Sequence, residues 1–232
     1  VWLWQRTSGA PVRMLAGHTS PVLSLAFSID GALLASGTDN GTIWLWQVAD
    51  GILANNFQGH AARVTSLAFS LDDRLLASGG DDARIRLWTV EDGELQRTLT
   101  GHTEDITSIT FSPNGQMLAS GAADNTVHVW PVYECANLPG GCETPTHILT
   151  GHSAPVSSVA FSPDGTLMAS GSYDKTIKIW GISDGALLRT LKGPLSPIYR
   201  VTFTPDGTLV STSEGGTTQL WSLAENGLLS IH

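Results

Sequence analysis

Short apolar runs alternate with short polar turns along the whole chain. The apolar runs are five or six residues long, as in Val22–Phe27, Val64–Phe69 and Ile106–Phe111, and Gly, Pro, Asp and Asn stand between them. Runs of this length, bounded by such residues, are typical of β-strands and are too short for α-helices. Several runs are apolar at both alternating positions, which is typical of strands covered on both faces. The pattern predicts an all-β protein whose sheets stack against one another.

One unit repeats along the chain. Runs that end in tryptophan recur at Trp4, Trp46, Trp88, Trp130, Trp180 and Trp221, which are 42, 42, 42, 50 and 41 residues apart. Gly-His pairs, Leu-Ala-Ser-Gly runs and an acidic turn recur in step with them. A period of about 42 residues containing four short runs is typical of a four-stranded propeller blade.

These motifs, in register over the whole length, resemble the WD-repeat (WD40-type) β-propeller family. The chain departs from the family in one respect, because no tryptophan is followed by the aspartate that gives the family its name. Gln5, Gln47, Thr89, Pro131, Gly181 and Ser222 stand there instead. The resemblance implies a β-propeller of four-stranded antiparallel blades that binds other proteins.

The repeat gives five full blades and part of another. We expect blades at 22–57, 64–99, 106–149, 156–191 and 198–231, preceded by a half blade at 1–16 with only a third and a fourth strand. Because the family usually closes with seven blades, we expect one propeller over 1–232 that is a piece of a larger seven-bladed ring. Closure through a partner copy, and so self-association, or an irregular five-bladed ring are the alternatives.

Histidine, serine, aspartate and tryptophan recur at fixed offsets in each blade. Histidine and acid are 22 residues apart in three blades, and serine and tryptophan are 10 apart in every blade. The set comprises His18, Ser36, Asn40 and Trp46 in blade one, His60, Ser78, Asp82 and Trp88 in blade two, His102, Ser120, Asp124 and Trp130 in blade three, and His152, Ser170, Asp174 and Trp180 in blade four.

A hydrolase triad uses the same residue types, but an enzyme needs one nucleophile rather than one in each blade. The resemblance implies a structural chain in which the indole donates to serine, serine donates to histidine, and the acid holds the histidine. Asn40 takes the acid's place in blade one. Blade five has Gly215 in that place, so we expect no full network there.

Positions that differ between blades are free to carry specificity. They cluster after each Gly-His pair and just before each turn acid, and the resemblance places both loops on one face, the top, around the channel mouth. The candidate partner-binding residues there are Asp39, Arg63, Asp81, Glu104, Asp105, Tyr173 and Glu214. Because this set is mostly acidic, we expect a partner with a basic patch, anchored first by Tyr173 and Arg63. An acidic rim that binds nothing is the alternative.

Arg200 is a further candidate. Four blades have serine at its register, namely Ser24, Ser66, Ser108 and Ser158, where the strands line the channel. We expect Arg200 to pair with a neighbouring carboxylate or, alternatively, to bind a partner.

Charge and composition exclude several classes of protein. The chain has 12 basic and 21 acidic residues, so its net charge is −9, which works against nonspecific nucleic-acid binding. No apolar run approaches the roughly 18 residues of a membrane span. No phosphate-binding glycine loop and no HExxH motif occurs, so we expect no cofactor.

The two cysteines of the chain, Cys135 and Cys142, lie in an insertion in blade three. We expect a disulfide between them; two free thiols, or half of a zinc site with His128 or His147, are the alternatives. Six intervening residues do not fit the usual zinc spacing, so we predict no metal site. A disulfide would indicate an extracytoplasmic location, and without one the cytoplasm is the default.

The main functional hypothesis is a non-catalytic scaffold that binds proteins or peptides through its top-face loops. The second is a regulatory or sensing segment of a larger signalling protein. The third is an enzyme with a site at the central channel, which would need a cluster of titratable groups outside the repeat pattern.

Overall fold

The computed structural model is built of β-strands and turns. The structure describes residues 1–133, 143–192, 196–223 and 227–231, the last range by its backbone alone, and none of these residues lies in an α-helix. The prediction of an all-β fold is therefore confirmed. In this part of the chain no helix is long and apolar enough to cross a membrane. Cys135 and Cys142 lie outside the described residues, so their pairing stays a prediction.

The strands form one two-stranded sheet and five four-stranded sheets, each paired antiparallel in chain order. The half blade consists of β1 (Trp2–Trp4) and β2 (Pro11–Met14). Blade one consists of β3 (Val22–Phe27), β4 (Leu33–Thr38), β5 (Thr42–Gln47) and β6 (Leu53–Gln58). Blade two consists of β7 (Val64–Phe69), β8 (Leu75–Gly80), β9 (Arg84–Thr89) and β10 (Leu95–Thr100). Blade three consists of β11 (Ile106–Phe111), β12 (Met117–Ala122), β13 (Val127–Pro131) and β14 (His147–Leu149). Blade four consists of β15 (Val156–Phe161), β16 (Leu167–Ser172), β17 (Thr176–Gly181) and β18 (Leu187–Lys192). Blade five consists of β19 (Ile198–Phe203), β20 (Leu209–Ser213), β21 (Thr218–Ser222) and β22 (Gly227–Ile231).

The hydrophobic core lies between successive blades. In one such layer, Ile43 and Leu45 of blade one pack against Leu67 and Trp88 of blade two. The glycine of each Leu-Ala-Ser-Gly run allows this close approach. A Cβ on Gly79 would lie 2.5 Å from Cγ2 of Ile106 in the next blade, nearer than atoms can pack. The sequence motif is thus a packing requirement of stacked sheets.

The serines of the first strands also join neighbouring blades. Ser158 Oγ accepts a hydrogen bond from the backbone N–H of Val201 in the next blade at 3.1 Å, and Ser66 Oγ does the same for Ile109 at 3.0 Å. A β-bulge in each first strand, as between Val64 and Ser66, sets their direction. These serines therefore face the next blade as well as the channel.

The described residues do not close the ring, because one face of blade one is only half covered. The half blade covers its outer part, where Leu15 packs against Leu34 and Trp46. On the inner part Leu25 is 52% exposed, whereas Leu67, at the same register in blade two, is 7% exposed. The seven-bladed ring stays a prediction.

Candidate functional site

Blades two, three and four each contain a chain of hydrogen bonds from tryptophan to acid. In blade three, Trp130 Nε1 donates to Ser120 Oγ at 2.8 Å, Ser120 Oγ lies 2.8 Å from His102 Nε2, and His102 Nδ1 lies 2.8 Å from Asp124 Oδ2. Blades two and four have the same contacts at 2.8–2.9 Å.

The protonation states of the network side chains follow from their burial and their hydrogen bonds. Burial lowers the pKa of His60, His102 and His152, so these imidazoles are neutral at pH 7. Burial alone would raise the pKa of Asp124, but hydrogen bonds from Thr126, Thr103 and His102 outweigh it and lower the pKa. Each network therefore holds a neutral histidine against a charged carboxylate.

The networks have the residue types of a hydrolase triad but not the access that catalysis needs. Ser78, Ser120 and Ser170 are each 0% exposed, and each oxygen already accepts an indole N–H. No substrate carbonyl can approach a nucleophile that is fully enclosed in this way. The geometry supports a structural role for them.

The networks in the first and last blades are shorter. In blade one, His18 Nε2 lies 2.8 Å from Ser36 Oγ, and Trp46 Nε1 donates to the same oxygen at 3.0 Å. Asn40 does not take part: its Oδ1 accepts from the Thr38 hydroxyl at 2.7 Å, and among the described residues no hydrogen bond joins it to the histidine. The assignment of Asn40 to the acid's role is therefore wrong. In the part of blade five that the structure describes, only the bond from Trp221 to Ser211 remains, at 2.9 Å.

The position two residues before each third-strand tryptophan also varies between blades, and in three blades its side chain contacts the network. In blade two Arg86 Nη1 donates to Asp82 Oδ2 at 2.7 Å, and in blade one Trp44 packs against His18, with ring centroids 5.1 Å apart. In blade three His128 stacks on His102, with ring centroids 3.7 Å apart. Burial, and then the neighbouring His102, lowers the pKa of His128 to about 4. Our sequence analysis missed this position, although a polar side chain inside an apolar strand marks it.

His102, Asp124 and His128 form the one group of at least three metal-ligand side chains close enough to share an ion among the described residues. They fit a metal poorly. Both oxygens of Asp124 already accept two hydrogen bonds each. The two imidazole planes are only 16° apart, so their in-plane lone pairs cannot converge on one ion.

The top face carries a cavity of about 530 Å³ at the mouth of the channel. We call it the mouth cavity. Its lining includes Asp81 and Asp105, from blades two and three, and Tyr173 and Tyr199, from blades four and five. The two tyrosine rings meet edge to face with their centroids 6.1 Å apart, and each side chain is about half exposed.

An ion pair lies beside the mouth cavity. Arg63 Nε donates to Asp39 Oδ1 at 2.7 Å and is 3.8 Å from Asp81 Oδ2. Arg63 is thus engaged within the rim, whereas Asp105 makes no ion pair with any described residue. Burial, and then the neighbouring Asp105, raises the pKa of Asp81. Carboxylates therefore outnumber cations at the mouth.

The acids of the opposite face differ in kind. Asp30 accepts hydrogen bonds from Ser28 Oγ and the backbone N–H of Ala32 within its own turn, and these bonds lower its pKa. Asp164 is held in the same way by Ser162 and Thr166. The carboxylates of those acids therefore stabilise their own turns by accepting hydrogen bonds. Asp81 and Asp105 have no such donors among the described residues, and the raised pKa of Asp81 marks a carboxylate that would gain from an added cation.

The remaining predicted site residues are placed around this mouth. Glu104 and Glu214 are exposed on the top-face loops, and the pKa of Tyr199 is raised by desolvation and then by the charge of Glu214. Arg200 is exposed and has no carboxylate partner among the described residues, so the structure does not show the expected ion pair. Tyr199 was not among the candidate residues of the sequence analysis, and its bulky ring stands where blades two, three and four have Thr65, Thr107 and Ser157.

The central channel adjoins the mouth cavity and has a volume of about 420 Å³, lined by the five first strands β3, β7, β11, β15 and β19. Of the described residues that line it, only Tyr199 and Arg200 can titrate. No pair of groups suited to acid–base chemistry lies there among them, so the geometry gives no support to an enzymatic site.

Comparison with known proteins identifies the repeat. A family model described as "WD domain, G-beta repeat" matches the chain five times, at residues 9–47, 51–89, 93–131, 143–181 and 185–222. Each match ends one residue after the tryptophan of a third strand. A search of curated proteins found no match.

Proposed function

Because the chain belongs to the WD-repeat family of β-propellers, we propose that it is a non-catalytic scaffold that binds a basic segment of a partner protein at its top face. WD repeats generally act as scaffolds for protein–protein interaction and are typically non-catalytic. The basic segment and the face are our own inferences from this chain.

The observation that carries the proposal is the mouth cavity. Asp81 and Asp105 both line it, Asp105 has no ion-pair partner among the described residues, and Tyr173 adds an exposed aromatic surface. A basic partner would neutralise the two charges, and tyrosine is among the residues that most often anchor interfaces. Stacked sheets hold the loops that carry these residues, so little ordering entropy would be lost on binding.

The rim acids Asp39 and Glu104 extend this surface outward. Charges at such a rim mainly raise the rate of association and its dependence on salt, and they add little affinity each. We therefore expect the cavity to hold the partner and the rim to attract it.

A comparison of the two faces tests the proposal. One variant neutralises three top-face acids (Asp39→Asn, Asp81→Asn, Glu104→Gln). The matched control neutralises three exposed acids of the opposite face (Asp50→Asn, Asp92→Asn, Asp184→Asn), whose Oδ1 atoms accept turn N–H groups that asparagine can also satisfy. Both variants change the net charge by the same amount.

The probe is a 12-residue peptide of alternating glycine and basic residues, measured by fluorescence anisotropy at two salt concentrations. We expect the top-face variant to bind about tenfold more weakly and the control to bind like the wild type. Equal weakening in both variants would show that only net charge matters, and it would contradict the proposal. Absence of binding to the wild type at low salt would contradict it as well.

A further inference from the structure

The mouth cavity combines two kinds of side chain, and the binding of basic segments in general does not require this combination. Its carboxylates come from blades two and three, and its tyrosines from blades four and five, so one occupant can meet both. A volume of about 530 Å³ is within the range of cavities that enclose a ligand group of several atoms. The cavity is therefore a pocket for one side chain as well as part of a binding face.

We propose that the mouth cavity takes the guanidinium group of one arginine side chain of the partner, with the two carboxylates on one side of it and the two tyrosine rings on the other. This rests on the proposed function of the top face and names the group that enters.

Charge explains why the occupant is a cation. Arg63 is already bonded to Asp39 and lies 3.8 Å from Asp81, and Asp105 has no ion-pair partner among the described residues. A neutral side chain would leave Asp105 without an ion pair among the described residues and Asp81 with only its 3.8 Å contact to Arg63. It would also displace water from them without replacing the hydrogen bonds that the water makes.

Shape explains why arginine fits better than lysine. A guanidinium group is planar and presents five N–H donors in a fixed fork, so it can donate to two carboxylates at once while its face stacks on an aromatic ring. The rings of Tyr173 and Tyr199 are at 77° to each other, so one offers its face where the other offers its edge. An ammonium group is compact and strongly hydrated, and it has no face with which to stack.

The test uses a probe that contains the side chain alone. The chain has only three tyrosines, so selective labelling of tyrosine gives three resolved NMR signals. Two of them, Tyr173 and Tyr199, line the mouth cavity, and Tyr133 lies elsewhere, in a small cleft with Ser70 and Asn114. N-acetyl-arginine methylamide is titrated against the wild type, and the citrulline and lysine analogues serve as matched ligands.

We expect saturable shifts of the signals of Tyr173 and Tyr199 but not of Tyr133. We expect a dissociation constant at least about tenfold larger for citrulline, and several-fold larger for lysine. The variant Asp81→Asn/Asp105→Asn should lose the shifts, and the matched double variant Asp50→Asn/Asp92→Asn, which removes the same charge from the opposite face, should keep them. Equal binding of citrulline or lysine, or shifts that survive in the double variant, would overturn the proposal.

This outcome is separable from that of the proposed function. If basic peptides bind the top face and the arginine probe shifts neither tyrosine, the scaffold function stands and the arginine pocket is wrong. If neither the peptides nor the probe binds, both are wrong.

Discussion

Replacement of Asp124 by alanine removes the acid that holds one buried network together. The carboxylate accepts four hydrogen bonds, from His102 Nδ1 at 2.8 Å, Thr103 N at 3.0 Å, Thr126 N at 2.9 Å and Thr126 Oγ1 at 2.6 Å. Alanine leaves all four donors without their acceptor. The imidazole is almost fully enclosed, so water cannot readily replace the carboxylate there.

The size of the effect follows from this count. A buried donor that loses its acceptor costs about 1–3 kcal/mol, and the partly exposed donors cost less because water can reach them. We therefore expect Asp124→Ala to lower the free energy of unfolding by about 2–4 kcal/mol. In a chain of this size that lowers the melting temperature by roughly 4–16 °C.

The matched control is Asp50→Ala. The Asp50 side chain is exposed and, among the described residues, accepts one hydrogen bond, from the backbone N–H of Ile52 at 2.9 Å. We expect it to change stability by no more than about 0.5 kcal/mol. Urea unfolding of both variants, followed by tryptophan fluorescence, gives the comparison. Equal midpoints for the two variants would refute the structural role of the network.

Two further predictions concern pH and the open face of blade one. Because the pKa of His128 is about 4 in the folded chain and 6.5 in the unfolded one, the unfolded chain binds the proton more tightly and stability falls as the pH falls from 6.5 towards 4. We expect His128 to lower the free energy of unfolding by about 2 kcal/mol between pH 7.5 and pH 5, so this decrease should be smaller in His128→Gln. Equal pH profiles of the two proteins in urea unfolding would contradict this. Leu25→Asp should change the urea midpoint little because Leu25 is exposed, whereas Leu67→Asp should unfold the chain; similar circular dichroism melts would contradict this.

Sequence reasoning recovers the features that every blade shares. The tryptophan period and the turn residues predict the strands, because every blade has to pack its sheet against the next one and uses the same residue types to do so. The offsets of 22 and 10 residues follow from the strand spacing, so Ser120 and Trp130 fall on adjacent strands of one sheet, and His102 and Asp124 fall in the loops beside them. Local periodicity is sufficient for this part of the structure.

Features of single blades depend on contacts that periodicity does not contain. Asn40 occupies the acid's register, but its short amide bonds to Thr38 rather than reaching His18. The bulge at Ile198 and Arg200 interrupts the simple alternation of strand faces, so the edge-to-face contact of Tyr199 with Tyr173 could not be predicted. The sequence likewise does not reveal that Arg200 has no carboxylate partner among the described residues.

The central claim is that the top face binds a basic segment at the channel mouth. Hydrogen–deuterium exchange with and without a (Gly-Arg)4 peptide tests it most directly, because backbone amides report on both faces in one experiment. We predict slower exchange in the top-face loops 59–63, 80–83, 103–105 and 172–175, with no change in the opposite turns 28–32, 70–74 and 162–166. Protection of those opposite turns, or of no segment at all, would contradict it.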